Sequence, residues 1–250
     1  MDFDIKKPAH LLALFLMIIT FIIMFVYPIL TFAGFFPSTS DVEIPEIYEQ
    51  YRTVFEIITI IMQLALIVFI LIIIPFIWYF LVNNIRLKEI YSRIKLTSEN
   101  VDIAFLWGVV AVIIIYAILF VIEIGLVALG INTENLSNIP DIEQFISFPS
   151  IFIVAAIQPI AEEIFFRGFL YDKIESFSGS VVAIFATSVL FGVAHMMYGE
   201  LYPAIIPIVI GLILGYIVYR TKNLYSAITA HIIINVSSLI LYYFAQNIMP

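Results

Sequence analysis

Long apolar runs separated by short polar ones dominate this chain. Crossing about 30 Å of hydrocarbon takes about 20 apolar residues in a helix. By that measure seven segments qualify, roughly 9–35, 54–82, 102–130, 147–171, 180–198, 202–220 and 223–247. Lipid offers the main chain no hydrogen-bond partners, so all seven are expected to be helices. Pro28, Pro75, Pro159 and Pro207 fall inside them and predict local kinks. The first apolar run, from about His10 to Phe36, is too long for the core of a signal peptide and lacks a small-x-small cleavage site. It reads as a retained helix. No internal repeat or low-complexity tract interrupts the pattern. The expected fold class is all-α, a polytopic membrane bundle of about seven transmembrane helices.

Composition agrees. Of 250 residues, 63% are hydrophobic and 12% charged, with mean hydropathy +1.12. A soluble domain carries about a quarter charged residues, so no separate soluble domain is expected. The net charge of −8 comes from acidic loops and points to no nucleic-acid partner. Cysteine is absent, which excludes disulfides, thiolate metal sites and a cysteine nucleophile, and also a C-terminal prenylation signal.

The loop charges sort by side. Lys6, Lys7, Arg86, Lys88, Arg93, Lys95, Lys173, Arg220 and Lys222 share one side if the spans alternate. Asp41, Glu43, Glu46, Glu49, Glu134, Asp141, Glu143 and Glu200 share the other, with Arg52 the basic exception. Basic loops stay inside, so the N-terminus is expected in the cytoplasm and the C-terminus outside. The stretch 83–100 is basic and amphipathic. It reads as a solvated linker or as a helix lying on anionic lipid.

Six ionisable residues sit deep in apolar runs: Glu123, Glu162, Glu163, Arg167, His195 and His231. Each costs about 2.5–3.5 kcal/mol at a helix centre on insertion scales. Glu163 and Arg167 stand four apart, acid first, the favourable helical pairing. Glu162 is rotated about 100° from Glu163 and has Gln158 as its own neighbour one turn back. His231 and Asn235 are one turn apart, with Ser238 continuing the stripe. If the fourth span stays helical to about Ser176, Glu162 lies about 21 Å from the helix end, His195 about 22 Å, and His231 and Asn235 about 14 and 20 Å. Those depths allow one shared cavity. Glu123, alone in the third span, can face the bundle, cap a polar pocket or stay protonated.

A carboxylate and an imidazole around one water can deprotonate it and aim the hydroxide at a carbonyl. A second imidazole and a carboxamide can donate to the oxyanion that follows. No elbow motif supports a serine nucleophile. Glu162, His195 and His231 could instead hold Zn²⁺ with one position left for water. Asn235 is a poor zinc ligand, and Arg167 adds positive charge beside the acids, so no cofactor is the preferred reading.

The stretches "EEIFFRGFL", "FGVAH" and "HIIIN" resemble the three motifs of the CAAX prenyl protease and bacteriocin-processing (CPBP, Abi-like) family of intramembrane endopeptidases. The patterns Glu-Glu-x-x-x-Arg, Phe-x-x-x-His and His-x-x-x-Asn fall on Glu162, Glu163 and Arg167, on Phe191 and His195, and on His231 and Asn235. The resemblance divides the chain into residues 1–145, transmembrane helices without a motif, and residues 146–250, a catalytic core of four spans. It implies an endopeptidase acting near the C-terminus of a prenylated CAAX-type or other membrane-associated substrate. Catalysis would fall to Glu162, His195, His231 and Asn235, with Glu163 and Arg167 in support and the site open to the cytoplasmic side. Membrane lipid and a peptide or prenylated protein are the implied partners. A proton-coupled transporter, or a bacteriocin immunity or scaffold protein, is the competing class, because proton relays use the same side chains.

Overall fold

The computed structural model describes residues 3–36, 50–130, 147–196 and 202–248, and all regular structure among them is helical. The acidic loop residues Asp41, Glu43, Glu46, Glu49, Glu134, Asp141, Glu143 and Glu200 lie outside the described residues. The long helices are α1 (Pro8–Phe32), α2 (Arg52–Leu81) and α4 (Val101–Ala128), with a short α3 (Leu87–Arg93) between the latter two. Then α5 (Phe148–Glu163) runs through a π-helical turn, Ile164–Leu170, into α6 (Tyr171–Ala194). Last come α7 (Tyr202–Thr221) and α8 (Tyr225–Ile248).

Six described helices are long and apolar enough to cross a membrane, with Phe148–Ala194 counted as one of 47 residues. At 1.5 Å per residue that helix would be about 70 Å long, more than twice the hydrocarbon thickness. It breaks at Gly179, where φ is +78° and ψ 169°, a conformation only glycine adopts without strain. Residues placed symmetrically about Gly179 touch: the Arg167 guanidinium lies 4.4 Å from the centre of the Phe191 ring. The chain therefore folds back into two helical arms, which gives seven long helical segments among the described residues. The segment 172–178, left between spans by the hydropathy pattern, is helical and completes the first arm of this hairpin.

Contacts give the helix directions. Phe3, just before α1, stacks on Trp78 at the end of α2, so α1 and α2 are antiparallel. Ile184 faces Gly215, Ser188 faces Gly211, and Gly192 faces Ile208, so α6 and α7 are antiparallel. Gly108 faces Thr229, and the Tyr116 hydroxyl reaches Ser237 Oγ at 2.7 Å, so α4 and α8 are parallel. Seven alternating crossings require each of these directions.

Without a hydrophobic effect between helices in lipid, small residues let backbones approach and pack. A Cβ on Gly211 would lie 2.9 Å from Arg167 Nη2 and 3.1 Å from Ser188. Gly211→Ala is therefore expected to cost about 1–3 kcal/mol through overpacking. Gly125, with nothing near its would-be Cβ, is the control. Equal unfolding midpoints for the two alanine variants would contradict the close approach.

The core centres on Phe165, Phe166, Phe191, Leu214 and Leu224, all buried, while Leu106, Ile113, Phe120 and Val181 are exposed on the outer faces, as lipid-facing residues should be. One end of the bundle carries a polar network. Tyr79 donates to Asp172 at 2.8 Å, Lys173 to Asn83 at 2.9 Å, and Asn223 to the carbonyls of Thr97 and Glu99. Burial pushes the Lys95 ammonium below the ordinary lysine range, opposed by Glu175 at 3.3 Å. In the basic stretch 83–100, α3 buries Ile90, and Ile94 just beyond it is also buried, close beneath Gly168. The stretch is thus tied into the bundle rather than lying free as a linker. Glu56, a carboxylate in α2 that hydropathy leaves unremarked, accepts from the Ser147 N–H at 2.9 Å and so caps the start of α5.

Candidate active site

Adjacency on one helix sends Glu162 and Glu163 to different neighbours. Glu163 Oε1 accepts from Arg167 Nη1 at 2.9 Å, within a pair whose side chains are both fully buried. The same oxygen accepts from His231 Nδ1 at 2.8 Å. Glu162 Oε1 accepts from Gln158 Nε2 at 2.5 Å, one turn back as the sequence suggests. Its other oxygen stands 3.7 Å from His231 Nε2. His231 on α8 thus bridges both acids of α5.

Phe191 is the packing hub. Its ring lies under the Arg167 guanidinium, edge-on to His195 with centroids 4.7 Å apart, and edge-on to His231 at 5.5 Å. A phenyl face attracts a cation, so this ring helps hold the guanidinium where water is scarce. His195, at the end of α6, donates through Nδ1 to the carbonyl of Phe191 at 2.7 Å. In the neutral form both imidazoles then carry their proton on Nδ1 and present Nε2 as a base. If both acids are ionised, the two carboxylates and one guanidinium leave a single unbalanced negative charge.

A cavity of about 230 Å³ opens beside this cluster. Gln158, Glu162 and His195 form its polar end. Apolar residues of α1 and α2, among them Met24, Pro28, Ile67 and Leu71, form the opposite wall. Helices without a motif therefore supply most of the cavity lining, which the spacing of polar residues gives no reason to expect.

The structure joins Glu162, Glu163, Arg167 and His231 by direct contacts, and His195 to them through Phe191 and the shared cavity. Asn235 stands half-buried one turn beyond His231 on α8 and makes no hydrogen bond to the cluster. Glu123 is exposed on α4 and takes no part. Among the described residues no three His, Cys, Asp or Glu side chains converge closely enough to hold a metal ion. Glu162, His195 and His231 are accordingly not grouped as a zinc cage.

Residues 144–237 match the family model of Rce1-like type II CAAX prenyl endopeptidases, a segment that contains every motif residue. Among curated proteins, YdiL of Bacillus subtilis (strain 168), by name a membrane peptidase, is 29% identical over 146 residues. That match covers 55% of this chain and 56% of the relative, so the two share little more than half their lengths. No solved structure matches. The matched segment is thus a CAAX-protease-like helical core with a buried cluster of histidine and glutamate.

Proposed function

We propose, with the partial match to type II CAAX prenyl endopeptidases as premise, that this protein is an intramembrane endopeptidase that activates water with a glutamate. The observation that carries the reading is Glu162: a carboxylate between Gln158 and His231 that also borders a cavity shared with His195. Glu162 and His195 take a proton from a cavity water, and the hydroxide adds to the scissile carbonyl. His231, protonated on Nε2, and the Asn235 carboxamide donate to the resulting oxyanion. Glu163 holds the His231 ring by its Nδ1–H, and Arg167 balances the Glu163 charge. The intermediate collapses as the proton passes from the Glu162–His195 pair to the leaving amine. The substrate is a prenylated CAAX-type or other membrane-associated peptide cut near its C-terminus, and the site faces the basic, cytoplasmic end.

Purified protein in nanodiscs, mixed with farnesylated and unmodified CAAX reporter peptides and read by mass spectrometry, tests the activity. No product from any peptide would count against the proposal. Asn235→Ala is expected to lower kcat by about 10²–10³-fold with a smaller change in KM, as for loss of an oxyanion donor. A kcat within threefold of the parent would remove Asn235 from that role. Chelators are expected to leave the rate unchanged, and a loss restored only by Zn²⁺ would overturn the metal-free route.

A further inference from the structure

The apolar wall of the cavity has an unusual backbone. In α1 a π-helical turn, Ile22–Val26, immediately precedes Tyr27 and Pro28. In α2 a second one, Phe69–Ile73, immediately precedes Ile74 and Pro75. The Tyr27 N–H bonds Ile22 O, five residues back, rather than Ile23 O. Pro28 has no N–H to offer Met24 O. The same happens in α2: the Ile74 N–H bonds Phe69 O rather than Ile70 O, and Pro75 offers nothing to Leu71 O. Four carbonyls, those of Ile23, Met24, Ile70 and Leu71, therefore lose their ordinary helical donors. All four residues line the cavity that contains Glu162 and His195.

This coincidence has a physical meaning. A carbonyl released from its helix costs several kcal/mol against hydrocarbon and is tolerated where it lines a polar or occupied cavity. A groove meant for a lipid tail alone gains nothing from such acceptors. An extended peptide needs them, because its amide N–H groups must find partners once they leave water. We propose that the released carbonyls of Ile23 and Met24 on α1 and of Ile70 and Leu71 on α2 receive amide N–H groups of an extended substrate peptide and hold its backbone beside Glu162. The two prolines are positioning residues: they keep these acceptors free. Recognition at this wall reads the peptide backbone, and the surrounding side chains admit apolar substrate side chains. This rests on the endopeptidase reading for its substrate class, but backbone capture is measurable without cleavage.

The experiment measures binding. A dansylated, farnesylated CAAX decapeptide, and a series with one backbone amide at a time N-methylated, are titrated onto Glu162→Gln protein in nanodiscs. N-methylation at one or two positions is expected to raise Kd about tenfold, the loss of a buried hydrogen bond. In a Glu162→Gln/Pro28→Ala/Pro75→Ala protein, the two restored N–H groups occupy one of these carbonyls on each helix. The parent peptide then binds about tenfold more weakly, and N-methylation at those positions changes Kd less than threefold. Glu162→Gln/Pro207→Ala, altered in α7 away from the cavity wall, binds like Glu162→Gln alone. If the two-proline replacement does not fold, each proline is replaced singly and compared on the same series. N-methylation tolerated at every position, an equal penalty with and without the prolines, or no saturable binding would each overturn the proposal. Cleavage by Glu162→Gln would sink the hydrolytic role of Glu162 alone and leave this comparison standing.

Discussion

Glu162→Gln should fold like the parent and cleave its peptide about 10²–10⁴-fold more slowly, the range for losing a general base. The amide keeps the shape of the side chain and its oxygen can still accept from Gln158 Nε2, now at 2.5 Å. What it loses is the ability to take a proton from water. The proper readout is single-turnover cleavage at saturating peptide, with the unfolding midpoint measured on the same sample. A rate within threefold of the parent would remove Glu162 from the chemistry. A rate that falls together with the midpoint would place it in the scaffold instead.

Arg167→Leu is expected to have the largest effect on stability, about 3–5 kcal/mol, because it strands a buried carboxylate. Arg167 is the largest fully buried side chain, and its partner Glu163 is equally inaccessible. Without the guanidinium, Glu163 keeps the His231 Nδ1–H as its hydrogen-bond donor among the described residues. Replacing both partners, as in Arg167→Leu/Glu163→Gln, should recover part of the loss, because the uncompensated charge goes with the arginine. Unfolding in mixed micelles gives the comparison. A single variant within about 1 kcal/mol of the parent, or a double variant less stable than the single, would show that the ion pair does not set stability here.

The pairing of Glu163 with Arg167 and of Glu162 with Gln158 was legible because both are one-turn contacts, and helical periodicity alone brings such residues together. The meeting of Glu163 with His231 was not legible in that way: 68 residues separate them, and no local rule says which face of α8 turns toward α5. The motif resemblance singled out both residues but not the atom-level bridge between them. Phe191 appeared in a motif with no role attached, and its place under Arg167 and against both imidazoles is a fact of packing. Glu56 escaped notice because it sits near a span end, where a carboxylate is ordinary. Its task, capping α5, depends on a helix far away in sequence.

The span count shows the same division. Hydropathy found the apolar stretches but left 172–178 between two of them, because its polar residues dilute the average. Those residues are helical because Asp172, Lys173 and Glu175 find partners on other segments, and Gly179 alone turns the chain. The prolines of α1 and α2 were visible as kink signals, whereas the π-helical turns before them, and their convergence on one cavity, were not.

By itself, then, the sequence determined a helical membrane protein, its apolar stretches and the side chains that have no reason to be in lipid. Each follows from local composition or from contacts within one turn, and so from residues close along the chain. Tertiary structure alone decided that α1 and α2 wall the cavity, that His231 stands between the two acids, and that the residues beside both π-helical turns line the same space as Glu162. Those depend on how helices rotate and tilt against one another, which is fixed by the summed packing of many weak contacts and leaves no mark at any single position.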